Sequence, residues 1–377
     1  MLNSALTLSG ETIFADNQAL DAGGAVIAVG ATALITGRSS FVNNSGDLFG
    51  GAVACLDSTF VVDGDTTFDG NIAESCGGGI SVAINSRVFW SGKASFLNNS
   101  ADDLGGAVCM SLNSTVCWSG DTVFYGCSAA YGGALFVGGE STVQLNGSTE
   151  FTSNSAQVSG GAVDSYSRDR QALRALIFIS GPTTFANNTA VAAGGGLYVT
   201  GEVTVMFLSP GVLFFGNSAG VAGGAIFVSD VSDGPSFSAV TFVSNFAGTG
   251  GGAYLTGTGN DQISAAGITA TSATKFDGCQ FVDNRATGTG EAIESVAGQD
   301  YISDTTFFGN TASVGGAMRL AGKAGVDNCS FVDNRSDDGE GPAISNVGVI
   351  SVIKDSSFTG NVFVCEPGKY LDFTEVS

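Results

Sequence analysis

One short element returns along the whole chain and constrains its fold more than anything else in it. Phe41-Val42-Asn43-Asn44 is followed by Gly50-Gly51-Ala52, and the same Phe-x-x-Asn pattern starts at Phe14, Phe68, Phe96, Phe151, Phe185, Phe214, Phe242, Phe281, Phe307, Phe331 and Phe358. At Phe124 the Asn slot holds Cys127. Gly-Gly pairs six residues after the Asn begin at Gly23, Gly50, Gly77, Gly105, Gly160, Gly223 and Gly251. Successive Phe positions mostly lie 24–29 residues apart, with longer steps before Phe185 and Phe281. A fixed period of this size means stacked structural units that share one continuous core.

The columns within each unit specify strands. Two residues after the Gly-Gly pair the side chain is apolar in coil after coil (Val53, Ile80, Val108, Leu135, Val163), whereas the next residue varies freely (Ala54, Ser81, Cys109, Phe136, Asp164, Arg319). That alternation predicts a first strand with one face inward and the other toward solvent. A second strand carries Ile35, Val62, Trp90, Trp118 and Leu145 inward, so Trp90 and Trp118 are expected as stacked neighbours. A third strand carries the Phe. Three short strands per coil of about 27 residues describe an all-β parallel β-helix of about 12–13 coils, a solenoid on the order of 60 Å long. Parallel crossovers prefer the right hand, so a right-handed helix is expected. The Phe rings of Phe41, Phe68, Phe96, Phe151, Phe185 and Phe214 are expected to stack in the core. Asn44, Asn71, Asn99, Asn154, Asn188 and Asn217 are expected to form an amide ladder at the turn that follows.

One β-helix is expected over 1–361, more regular over 1–200. Over 201–361 the punctuation loosens, with Glu291 and Pro342 interrupting Gly-Gly pairs and an insertion at Gly257–Lys275. Two abutting helical segments are the alternative. Asn3-Ser4 through Phe14 already matches the interior of later coils, so the chain reads as part of something longer. Residues 362–377 form a tail.

Composition narrows function mostly by exclusion. The net charge of −22 opposes nucleic acid as a partner. No apolar run approaches a membrane span, and Met1–Ala5 lacks the pattern of a secretory signal. There is no histidine, which removes Ser-His-Asp and Cys-His machinery and His-based metal sites. No catalytic residue nominates itself. Acidic residues collect in the loop between Asn and Gly-Gly, and Asp102, Asp103, Asp337 and Asp338 are the weak candidates for Ca²⁺, the one cofactor that oxygen ligands suggest. A solvated turn is the plainer reading of the same residues. The eight cysteines read as mostly free thiols: Cys55 and Cys127 fall in inward or turn columns, while Cys109 and Cys117 point outward from different strands. Asn-x-Ser/Thr sequons begin at seven positions (Asn43, Asn98, Asn113, Asn146, Asn187, Asn328, Asn334), of which Asn113 and Asn146 are expected to be the exposed acceptors.

The pairing of Phe-x-x-Asn with Gly-Gly-Ala-(Ile/Val/Leu) resembles the chlamydial polymorphic outer membrane protein repeat, over almost the whole chain. The resemblance implies a surface-exposed, pectin-lyase-like β-helix acting as an adhesin; similar repeats occur in surface proteins of algae and other microbial eukaryotes. In the bacterial family a membrane barrel follows the repeats, whereas here Cys365-Glu-Pro-Gly-Lys-Tyr370 resembles the opening of a small Cys-rich extracellular module of the ephrin-receptor-like type. The expected role is therefore a non-catalytic extracellular or cell-surface scaffold or adhesin that meets glycans, matrix, or host or neighbouring cells. A carbohydrate-active enzyme of the pectate-lyase-like type is the alternative. An enzyme needs a groove with clustered carboxylates and an Arg or Lys, and none stands at a position matching the acidic loops.

Overall fold

The computed structural model describes residues 4–166, 175–208, 210–231, 234–257, 274–296, 299–337, 341–347 and 351–363. Asp338, most of the 257–275 insertion and the tail beyond 363, Cys365 included, lie outside the described residues.

Every strand pairs in parallel with its equivalents one coil away, building an all-β helix of four sheets with 13, 13, 13 and 12 strands. Sheet 1 begins with Ser4–Leu8 and Ala31–Ile35, and sheet 2, the Phe sheet, with Thr12–Ala15 and Ser39–Val42. Sheet 3 begins with Gln18–Ala19 and Ser45–Gly46, and sheet 4, after the glycine corner, with Val26–Val29 and Val53–Leu56. The three strands expected per coil thus become four. The additional one, in sheet 3, is mostly two residues long, too short to show an alternation in sequence.

The core is a set of ladders running the length of the rod. Thirteen Phe rings from Phe14 to Phe358 stack without a break, with centroids 4.4–5.2 Å apart and planes within 13° of parallel. Trp90 and Trp118 stack beside them at 5.6 Å. Each ring removes enough apolar surface from water to contribute about 2 kcal/mol or more.

Behind the Phe column the asparagines pair amide to amide. Asn71 Oδ1 accepts from both the backbone N–H and Nδ2 of Asn44 at 2.9 Å. Asn71 Nδ2 donates to Asn99 Oδ1 and to the Phe41 carbonyl, each at 2.9 Å. Both lone pairs and both amide protons are used, which is what full burial of a carboxamide requires. The same bonds link Asn154, Asn188 and Asn217 and continue to Asn361. Cys127 interrupts the ladder; its thiol donates instead to the Phe96 carbonyl.

The residue just before each ladder Asn has a left-handed backbone, with φ of 50–66° from Asp16 through Asn43, Gly70, Asn98, Ser153 and Asn187 to Gly360. Only Gly, Asn, Asp or Ser fills this column, the types that tolerate such a conformation most readily. It explains the doubled Asn-Asn of several coils. The first glycine of each Gly-Gly pair is a second left-handed column, which places one corner at Gly250, one residue earlier than the pairing by spacing suggests. The second glycine is required for a different reason: a Cβ on Gly51 would collide with the carbonyl oxygens of Gly78 and Ile72 in the next coil.

Candidate functional site

The outer column of sheet 4 differs from the expected solvent face. Its residues do point away from the core, yet Ala54, Ser81, Cys109, Phe136, Asp164 and Glu294 are all buried. The loop before each glycine corner folds against them. That loop forms its own line of parallel bridges, in which Cys76, Leu104, Tyr131 and Ser159 succeed one another. The result is a covered seam outside the helix proper, with three distinct stretches.

The first stretch is a disulfide. Cys76 of the loop line joins Cys109 of the next coil's outer column, with Cα atoms 5.6 Å apart. This corrects the expectation for Cys109. The bond is diagonal, between two different columns, so a search for cysteines in equivalent slots passes over it. Cys55, Cys117, Cys127, Cys279 and Cys329 are free. Phe136 and Leu104 pack on the bridge as a small apolar cluster separate from the main core. The bridge closes a loop of 33 residues, so Cys76→Ser/Cys109→Ser, or reduction, is expected to lower stability by about 3 kcal/mol, measured by urea unfolding with and without reductant.

The second stretch begins at Asp164, directly above Phe136. Its carboxyl is buried; Ser159 Oγ donates to Oδ2 at 2.5 Å, and Oδ1 has no partner among the described residues. Burial pushes its pKa up to about 8, against a smaller opposing effect of the Ser159 bond. Tyr198, Phe227 and Tyr254 then occupy three consecutive rungs, with ring centroids 4.9 and 5.1 Å apart. Tyr198 is pushed up to about 12 by burial first and then by Asp164, Tyr166, Asp230 and Tyr131, which places these groups around it. Four of the chain's seven tyrosines thus gather on this seam.

The third stretch is an ion pair. Glu294 sits above Tyr254, Arg319 above Glu294, and Arg319 Nη1 donates to Glu294 Oε1 at 2.6 Å. Burial raises the Glu294 pKa although Arg319 opposes the shift. Three residues earlier Glu291 takes the slot of the second glycine and is wholly buried, with neither oxygen partnered among the described residues. Burial pushes it up to about 11, the charges of Asp337 and Glu294 adding to the shift. An Arg does therefore stand over a carboxylate in this fold, in a column that reading the loops alone does not reach. It is engaged in the pair rather than held free as a base.

The Ca²⁺ candidates are not brought together. Asp102 and Asp103 are exposed on the fourth coil. Asp337 is exposed on the twelfth and paired with Arg335 Nε at 2.9 Å. Eight coil rises separate the two loops, about 38 Å. Among the described residues no three His, Cys, Asp or Glu form a cluster able to hold a metal. Asn113 and Asn146 are exposed; their amides donate to Asn85 Oδ1 at 2.8 Å and to Cys117 Sγ at 3.3 Å. The sequon at Asn334 is buried in the amide ladder.

Three stretches, 65–83, 182–200 and 211–229, match the model of the Chlamydia polymorphic membrane protein (Chlamydia_PMP) repeat. Those segments are similar to that repeat. Each runs from the corner before sheet 2 to the end of the sheet 4 strand, leaving sheet 1 outside the motif. The second and third matched stretches lie on successive coils and include Tyr198 and Phe227, two rungs of the aromatic stack. The repeat and the fold together fit a surface-type β-helix protein. No curated protein and no solved structure matches the chain. Among the described residues no helix is long and apolar enough to cross a membrane.

Proposed function

We propose that this protein is a non-catalytic adhesive scaffold of the cell surface, a stiff rod that holds glycans along the seam outside sheet 4. The observation that carries the reading is the run Tyr198–Phe227–Tyr254 set between two carboxylates, Asp164 below and Glu294 above. Aromatic rings with hydroxyl and carboxyl groups at their edges suit sugars, whose C–H faces are apolar and whose rims are polar. The rings cover one another's faces, and the three half-buried side chains offer their edges and hydroxyls along the seam. The Cys76–Cys109 bridge supports an oxidising, extracellular setting, and the polymorphic membrane protein repeats support a place at a cell surface.

A glycan array probed with the purified chain tests this, with the same samples read for released or unsaturated saccharide. Binding without turnover, weakened at least about tenfold by Tyr254→Ala, is the expected result. Turnover would replace this reading with that of a carbohydrate-active enzyme built around Glu294 and Arg319.

A further inference from the structure

The left-handed column before the amide ladder holds Asn on some coils and Asp on others, and its backbone does not choose between them. Both types tolerate a φ near 50°. Asn43, Asn98 and Asn187 stand at 51–55°, and Asp16, Asp283 and Asp333 at 50–56°. Their packing is alike as well. Oδ1 of Asn43, Asn98 and Asn187 lies against the next coil's glycine (Gly70, Gly126 and Gly216), and Asp283 and Asp333 meet Gly309 and Gly360 in the same way. The two types nevertheless divide by the residue two positions on. After Asn it is Ser45, Ser100 or Thr189; after Asp it is Gln18, Arg285 or Arg335. Charge pairing within the turn does not account for the division, since Arg335 bonds Asp337 rather than Asp333. Every Asn of this column thus heads an Asn-x-Ser/Thr sequon, the acceptor sequence for N-linked sugar on exposed turns.

The folded chain has room for a substituent at these three positions. All three side chains are exposed. Asn98 Nδ2 gives one proton to Asp69 Oδ1 at 3.4 Å, and the amides of Asn43 and Asn187 give none among the described residues. A sugar replaces a single amide proton, so each nitrogen has one to lose. The sequon at Asn334 is the opposite case. It is buried, and its Nδ2 donates to the Phe307 carbonyl and to Asn361 Oδ1, each at 3.0 Å, so both protons belong to the ladder.

We propose that Asn43, Asn98 and Asn187 carry N-linked oligosaccharides, a line of glycans along the corner between sheets 2 and 3. The three stand on the second, fourth and seventh coils, separated by two and three coil rises, about 10 and 14 Å. Transfer joins Nδ2 to C1 of an oligosaccharide held on a lipid pyrophosphate. The C1–O bond breaks, the pyrophosphate leaves with its electron pair, and one amide proton is released. One N–H stays on the nitrogen, so Asn98 keeps its bond to Asp69. The Cys76–Cys109 bridge fits folding in the oxidising lumen where such donors act. These sugars are carried by the rod, so the inference stands apart from the glycan-binding reading.

The test is peptide mapping by mass spectrometry of the full chain isolated from the cells that make it, with each released site marked by peptide N-glycosidase in heavy-oxygen water. Oligosaccharide is expected on Asn43, Asn98 and Asn187, and none on Asn334. A bare asparagine at any of the three overturns its assignment, and sugar on Asn334 of the folded chain overturns the selection by free amide protons. Ser45→Ala, Ser100→Ala and Thr189→Ala leave the acceptors and the ladder in place; expressed in the same cells, each is expected to lose one glycan with the melting temperature unchanged. Asp283→Asn combined with Arg285→Thr is expected to gain one. Absence of that gain, in a chain that melts like wild type, overturns the column as the feature that presents the acceptor.

Discussion

Asn188→Leu is expected to lower the stability of its region by about 5 kcal/mol. Asn188 Oδ1 accepts the backbone N–H and the amide of Asn154, each at 3.0 Å. Its Nδ2 donates to the Phe151 carbonyl and to Asn217 Oδ1, each at 2.9 Å. Leucine replaces none of these partners. It leaves the Asn154 N–H, one Asn154 amide proton and the Phe151 carbonyl buried without partners, each carrying a desolvation cost of about 1–3 kcal/mol, while Asn217 Oδ1 keeps the backbone N–H of residue 188 at 3.1 Å; local rearrangement recovers part of the loss. The neighbouring Asn187 supplies the control: it is exposed, with φ of 55°, so Asn187→Gly is expected to be neutral within about 0.5 kcal/mol. Because long repeat arrays lose two-state cooperativity, the readout is hydrogen exchange resolved by coil, together with urea unfolding. Equal protection in the Asn188→Leu and Asn187→Gly proteins would show that the ladder contributes nothing beyond the volume it fills.

The doublet also shows how far the sequence could be read. Repetition made the Phe and Asn columns plain, because a residue that must meet its own copy one coil away is constrained in every coil. The left-handed column before the Asn was equally visible as a restriction to Gly, Asn, Asp and Ser, but its cause is backbone geometry rather than a side-chain contact. The seam was harder. Alternation along Val163-Asp164-Ser165 correctly placed Asp164 outside the core. What covers it comes from the loop ending at Ser159, and strand periodicity carries no information about a loop folded onto the outer face. One signal was available in hindsight: a column that accepts Ala and Ser in early coils turns to Phe136, Tyr198, Phe227 and Tyr254 further along. Rings at successive outward positions are not needed to keep a rod soluble. In the sequence Glu291 is only a break in the Gly-Gly pattern; that its carboxyl enters where a Cβ normally meets backbone is visible only in the coil stack.

Asp164 makes the stability of the rod depend on pH in an uncommon direction. Its folded pKa stands at about 8 against 3.8 for the free side chain, so between these values the native state holds a proton that the unfolded chain has released. Stability therefore falls as pH rises through this window, by about 1.4 kcal/mol per unit. The loss from this one group between pH 4 and pH 7 is about 4 kcal/mol, and it levels off above pH 8, where both states are ionised. Glu291 and Glu294 are shifted the same way by burial, and the growing negative charge of the whole chain acts in the same sense. The absolute slope thus belongs to several groups, and the difference between wild type and Asp164→Asn isolates one of them. Asparagine keeps the volume and can still accept from Ser159, but it carries no proton to lose. The variant is expected to be no more stable than wild type at pH 4 and about 3–4 kcal/mol more stable at pH 7, read from urea midpoints at each pH. Parallel stability curves for the two proteins would mean that Asp164 is ionised and solvated in the native state.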